Sequence, residues 1–264
     1  METESILLQL NDSQREAVVN TEGPSLVIAG AGSGKTRVLT YRIAYLLQLG
    51  VKPWNILALT FTNKAAREMK QRIGSLVGND VASRLVMGTF HSIFSRILRA
   101  EAERLGYTSN LTIYDEADSR SLVKNIVKEM GLDDKVYKPS TVHNRISMAK
   151  NRLITAYDYS NDHNAITRDN QQRMHELYKV YMAYADRCKQ ANAMDFDDLL
   201  LMTHTLFRDN EDIRRKYAER FVYVLVDEYQ DTNTVQQKIV YQLTRERQNV
   251  CVVGDDAQSI YSFR

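Results

Sequence analysis

Three alternating glycines precede a lysine and a threonine in the run Ala29-Gly30-Ala31-Gly32-Ser33-Gly34-Lys35-Thr36-Arg37. Glycines at that spacing let successive backbone N–H groups turn inward around an anion. The lysine and hydroxyl that follow are what a nucleoside triphosphate needs. The Lys35 ammonium can reach the β- and γ-phosphates, and the Thr36 hydroxyl can ligate Mg²⁺. The run departs from the strict phosphate-loop pattern in opening on Ala29 rather than glycine. A glycine-rich surface turn with a solvated lysine is the alternative, and the order strand, glycines, Lys-Thr, helix weighs against it. Far downstream, Tyr223-Val224-Leu225-Val226-Asp227-Glu228-Tyr229-Gln230-Asp231 ends an apolar run in carboxylates. Asp227 can hold Mg²⁺ through its shell, and Glu228 can orient and deprotonate an attacking water. Acids after a strand also end it at the surface, and for Asp231 that reading stays open.

These groups need strands and helices to carry them to one place. Short apolar runs rich in β-branched residues occupy 26–29, 56–59, 221–226 and 250–253. Such runs predict buried parallel strands. Helix-period segments lie between them. Asn63–Val77 lines up Ala66, Met69, Ile73 and Leu76, and residues 89–105 line up Phe90, Phe94, Ile97 and Leu98. Strands alternating with helices predict an α/β fold with a parallel sheet. From about 111 to about 194 the pattern is almost wholly helical. Its clearest stretch is 171–189, with Met174, Leu177, Tyr178, Tyr181, Met182, Ala185 and Cys188 at helical spacing. The expected organisation is an α/β domain over residues 1–110 and 199–264, interrupted by an inserted all-helical domain at 111–198.

Composition narrows the class. Of 264 residues, 44% are hydrophobic and 26% charged, which is ordinary for a soluble globular protein. Net charge is +2, so bulk charge does not announce a nucleic-acid partner. Cys188 and Cys251 lie far apart and form no metal-ligand spacing, and Cys251 falls in an apolar run. The acidic start Met1-Glu2-Thr3-Glu4 is not a signal peptide, and no apolar run approaches the roughly 18 residues of a membrane span. The expectation is a cytoplasmic protein with no membrane segment.

The motifs taken together are more specific than any one of them. The loop with Arg37, then Thr60-Phe61-Thr62-Asn63-Lys64-Ala65-Ala66, then Val226-Asp227-Glu228-Tyr229-Gln230-Asp231-Thr232, resembles the UvrD/Rep/PcrA group of superfamily-one DNA helicases. Leu10-Asn11-Asp12-Ser13-Gln14, Gly88-Thr89-Phe90-His91-Ser92, Asp195-Phe196-Asp197-Asp198-Leu199 and Gly254-Asp255-Asp256-Ala257-Gln258-Ser259-Ile260-Tyr261 extend the resemblance over the whole chain. It implies a RecA-like P-loop NTPase domain carrying a helical insertion. It further implies an ATP-dependent 3′→5′ DNA helicase or translocase of DNA repair or replication, with ATP and Mg²⁺ as cofactors. Partners would be single-stranded DNA, duplex junctions and repair proteins.

By the same resemblance Gln14 reads adenine, Arg37 packs on the base, and Gln258 contacts the γ-phosphate. Without it, Gln14 reads as a helix-capping or surface residue and Arg37 as a solvated one. Phe61, Asn63, Thr89, His91, Phe196, Tyr261, Phe263 and Arg264 resemble positions along the DNA path, with the aromatics as stacking platforms. Core packing competes for Phe90 and Phe196, and His91 reads equally as a buried histidine. Phe263 stands where close relatives often have tryptophan, and Asp256-Ala257 reverses a common order. The resemblance also implies a second RecA-like domain after Arg264, bearing the arginine fingers, so that this chain is expected to be a nearly inactive front part. Two other readings are a motor subunit of a helicase–nuclease and a nucleotide-binding repair module. Intact Lys35, Thr36, Asp227, Glu228 and Gln258 weigh against the second.

Overall fold

The structure is a computed structural model, and it describes residues 3–30 and 34–255. Ala31, Gly32, Ser33, Gln258, Tyr261, Phe263 and Arg264, named above as candidates, lie outside the described residues. Seven strands are described: β1 (Ser25–Ile28), β2 (Ile56–Thr60), β3 (Val86–Thr89), β4 (Thr112–Tyr114), β5 (Ala193–Asp195), β6 (Tyr223–Val226) and β7 (Val250–Gly254).

The chain divides into two compact units. The first takes in the chain up to Ile93, then Phe207–Thr232 and the residues from Gln236 on. The second holds Phe94–Leu206 and Asn233–Val235. Both main limits fall inside helices, Phe90–Ala100 and Phe196–Asp209, where the hydrophobic period offers no break. The period-based limits at 110 and 198 instead bracket the stretch whose pattern is almost wholly helical.

In the first unit, five strands form one parallel sheet in the order β1-β7-β6-β2-β3. Leu26 pairs with Val252, Leu225 with Cys251, Ala58 with Leu225, and Leu57 with Val86. Every residue of β2 is buried, as expected of a strand covered on both faces. The first unit's core includes Leu39, Ile43, Ile56, Met69, Ile73, Leu225 and Val253, drawn from strands and the helices beside them. Cys251 belongs to that core as a buried free thiol. Asn63–Val77 is a helix, N-capped by the Thr62 hydroxyl accepting from the Ala65 N–H at 3.0 Å. Ala66, Met69 and Ile73 are buried there, and Leu76 is half-buried.

β3 is the strand of this sheet that the apolar runs do not predict. Its third residue, Gly88, interrupts the run because the following helix folds back onto it. A Cβ at Gly88 would lie 2.6 Å from the Ser92 hydroxyl. The expected helix over 89–105 is two pieces, Phe90–Ala100 and a 3₁₀ turn at Ala102–Leu105.

The second unit is mostly helical. Val123, Ile126, Val142, Ile146, Leu177, Val180, Tyr181 and Tyr184 form its centre. It also contains a parallel pair, with Thr112, Ile113 and Tyr114 of β4 against Ala193, Met194 and Asp195 of β5. The helix expected over 171–189 runs over Leu177–Gln190, preceded by a separate helix His163–Gln171. Its inward face carries Tyr184, fully buried, and not Met182, which is exposed.

Candidate functional site

Parallel strands deliver their carboxyl ends to one edge of a sheet, where ligands of α/β folds bind. At that edge of the first unit, β1 leads into Ala29, whose N–H donates to the Gly254 carbonyl at 3.1 Å. Gly34 then begins the helix Lys35–Gln48 from φ 89°, with no side-chain cap. Only glycine adopts that conformation freely. A Cβ there would also lie 3.0 Å from Gln14 Nε2, so that the end of the Gln14 side chain would have to give way. A long helix starting without a capping side chain offers its first N–H groups and its positive dipole end to an anion.

Lys35 extends from this helix start to two carboxylates. Its Nζ lies 3.2 Å from Asp255 Oδ2 and 3.7 Å from Glu228 Oε2. Burial pulls the ammonium's pKa down, but the Asp255 hydrogen bond and the charges of Glu228, Asp255 and Asp227 outweigh it and hold it above its ordinary value. Thr36 is half-buried beside Lys35. Asp227 follows β6 directly and is buried, with its N–H on the Leu59 carbonyl at 3.0 Å. Its carboxyl is pushed up by burial and then by Glu228, while Lys35 opposes. A carboxylate burdened in that way is relieved by a divalent cation. Glu228 takes a left-handed φ of 47°, and its Oε2 accepts from Gln230 Nε2 at 2.5 Å. Gln230 Oε1 in turn accepts from the Asp255 N–H at 3.2 Å. Cation, buried acid and exposed acid therefore converge, and these residues fit a triphosphate with a divalent cation.

Two of these partners escaped the sequence reading. Asp255 and Gln230 lie inside quoted motifs, but their meeting depends on β7 lying between β1 and β6, which no local pattern reveals.

Gln14 takes the capping role. Its N–H donates to Asn11 Oδ1 at 2.9 Å and its Oε1 accepts from the Asn11 N–H at 3.3 Å, a reciprocal helix cap. The same side chain borders Gly34 and lines an open groove of about 550 Å³ with Asn11, Ala17, Leu26 and Ile28. Arg37 is exposed, donates to the Gln9 carbonyl at 2.7 Å and lies 5.1 Å above the Tyr41 ring.

The carboxyl ends of β2 and β3 carry other candidates. Phe61 is half-buried, with its ring 5.8 Å from that of Phe90, which is core. Asn63 is exposed at its helix start. Thr89 and His91 are half-buried, and the Thr89 hydroxyl accepts from the Ser92 N–H at 3.2 Å. Phe196 belongs to the second unit, where it is 51% exposed and so is not core. No helix among the described residues is long and apolar enough to cross a membrane.

The family described as UvrD/REP helicase N-terminal domain matches residues 10–264. The chain is similar to the ATP-dependent DNA helicase PcrA of Leuconostoc citreum, with 46% identity over 265 residues, covering 100% of this chain and 35% of that protein. It is similar to the PcrA of Bacillus subtilis, with 46% identity over 264 residues, 98% of this chain and 34% of that protein. The PcrA of Staphylococcus aureus is again 46% identical, over 261 residues, 98% of this chain and 35% of that protein. The chain thus spans about a third of the length of these curated relatives.

Proposed function

We propose that this chain, which belongs to the UvrD/REP helicase family, is the ATP-binding part of an ATP-driven 3′→5′ helicase or translocase on single-stranded DNA, serving repair or replication in the cytoplasm. The observation that carries the reading is the convergence of Lys35, Asp227 and Glu228 at one sheet edge, with Lys35 Nζ 3.7 Å from Glu228.

In this reading the backbone of Ala29, Gly30, Ala31, Gly32, Ser33 and Gly34 cradles the phosphates, and Lys35 takes the β- and γ-oxygens. Thr36 and Asp227 hold Mg²⁺, which neutralises charge on those oxygens when bound. Gln14 and Arg37 take the base. Glu228 accepts the proton of the attacking water, and its bond to Gln230 orients the carboxylate meanwhile. Gln258 reports the γ-phosphate. Phe61, Asn63, Thr89, His91, Phe196, Tyr261, Phe263 and Arg264 contact DNA, the aromatics by stacking at about 1–3 kcal/mol per base. Duplex junctions and repair proteins are the wider partners.

Titration of labelled ATP with Mg²⁺ tests the centre of this reading. Lys35→Ala removes the cation facing several phosphate charges, so nucleotide affinity should fall at least tenfold, about 1.4 kcal/mol. Equal affinity in the variant and the wild type would reject Lys35 as the phosphate ligand.

A further inference from the structure

Phe196 opens its helix between residues that are all fastened to one place. Asp195 accepts from Lys150 Nζ at 2.7 Å and from the Tyr184 hydroxyl at 2.8 Å. Asp198 lies 2.8 Å from the same ammonium. Asp195 and Asp198 also exchange backbone-to-carboxylate bonds at 2.8 and 3.2 Å. Asp197 accepts from Asn151 Nδ2 at 3.0 Å. Lys150 and Asn151 are consecutive at the end of the helix Pro139–Asn151. One helix end therefore holds all three carboxylates around an aromatic that is half in solvent.

The Asn151 amide uses both of its ends. Its Nδ2 donates to Asp197 and to the Ser147 carbonyl at 2.9 Å, and its Oδ1 accepts from Asn233 Nδ2 at 2.7 Å. Asn233 follows Thr232 in the chain, directly after the acid motif. Asn233–Val235 group with the second unit, whereas the 3₁₀ turn Tyr229–Asp231 belongs to the first. That turn is held through Gln230, which bonds both Glu228 and the Asp255 N–H, the latter belonging to the residue whose carboxylate pairs with Lys35. In the reading above, a γ-phosphate would compete with these carboxylates for Lys35, and the turn they hold ends two residues before Asn233.

We propose that Asn151 is a positioning residue that links the segment after the acid motif to the Phe196 turn, and so makes single-strand affinity depend on the nucleotide bound. The inference rests on the reading above, in which Phe196 stacks on a base. Coupling of this kind is reciprocal between the two ligands and typically amounts to about 5–150-fold in affinity.

The test is fluorescence anisotropy of a labelled oligo-dT, with and without a non-hydrolysable ATP analogue and Mg²⁺. The wild type should show a nucleotide-dependent shift in that range. Asn151→Ala and, separately, Asn233→Ala should bring the shift close to onefold, with nucleotide affinity in the absence of DNA unchanged. Asn151→Asp sets two carboxylates face to face and should do the same. Adding Asp197→Asn to it exchanges donor and acceptor and should restore the shift. Phe196→Ala should weaken binding in both states. A wild-type shift that persists in Asn151→Ala and Asn233→Ala overturns the inference, as does weakening that is equal with and without nucleotide. A Phe196→Ala variant that binds DNA like the wild type, or a wild type with no shift, overturns the DNA reading of Phe196 and the inference with it.

Discussion

Glu228 is the point where chemistry and backbone strain meet. A residue with a Cβ pays about 1–2 kcal/mol to stand in the left-handed region, and Glu228 stands there at φ 47° and ψ 47°. Nothing in packing asks for it, since its side chain is 41% exposed. The conformation turns the carboxylate back toward Lys35 and Gln230, where the proposed function needs a base. Two substitutions separate strain from chemistry. Glu228→Gln keeps shape and the left-handed cost, so nucleotide affinity and melting temperature should hold while ATP turnover falls by roughly 10²–10⁴. Glu228→Gly should lower turnover at least as far but relieves the backbone, and should raise unfolding free energy by about 1 kcal/mol. Steady-state ATPase assays and urea unfolding read the two effects. Turnover near the wild-type rate in Glu228→Gln would exclude Glu228 as the base.

At the scale of elements, the end of the helix Pro139–Asn151 meets β5 and the start of the Phe196 helix through one lysine and two carboxylates. Burial pushes Asp198 up to about 6, with Lys150 opposing and Asp195 adding to the rise. Burial also acts to raise Asp195, but there Lys150 prevails and holds it low. The sign for Asp198 follows from linkage. Its folded value exceeds its ordinary 3.8, so the folded chain binds that proton more tightly. Its contribution to stability is present at acid pH and is lost as pH rises through about 6. Asp198→Asn removes that loss. Relative to the wild type it should gain roughly 1–3 kcal/mol between pH 4 and pH 7, read by urea unfolding at both. Parallel stability curves would show that Asp198 is not the titrating group. The carboxylates of this cluster were legible as a motif, but their cation was not, since Lys150 reads in the sequence as one more helical lysine. What was legible is whatever a local pattern encodes. β1, β2, β6 and β7 announce themselves as apolar runs, and Lys35, Asp227 and Glu228 as motif residues. β3 did not, because Gly88 yields its side chain to helix packing, and β4 and β5 are three residues each, too short for any period. Tyr184 was missed on its helix because Met182 is the more apolar residue two positions before it, and only tertiary packing chooses between them. The meeting of Asp255 with Lys35 depends on strand order, which hydrophobic period does not contain.

At the scale of the whole molecule, the question is how much chemistry these residues perform by themselves. Phosphoryl transfer spreads negative charge over the transferring group, and an arginine placed there is worth about 10³–10⁵ in rate. The arginine nearest in sequence to the loop is Arg37, and it is committed elsewhere, to the Gln9 carbonyl and the Tyr41 ring. Arg42, on the same helix, is buried against the carbonyls of Ala17 and Thr21 and the Ser25 hydroxyl. Arg214 is buried among Glu211, Glu246 and the Gln242 carbonyl. These arginines hold the fold together and do not face Lys35. The chain covers about a third of the PcrA relatives, whose remaining two thirds have room for a charge donor and for a second wall to the DNA path. The expected outcome is that the 264-residue chain binds ATP but turns it over roughly 10³–10⁵ times more slowly than a full-length PcrA, without stimulation by single-stranded DNA. Lys35, Asp227 and Glu228 would then suffice for binding and for a positioned water, and not for stabilising the transition state. Side-by-side ATPase assays with and without oligo-dT decide it. Turnover by this chain within tenfold of the longer enzyme would mean that the charge comes from within its own 264 residues, and would overturn this account.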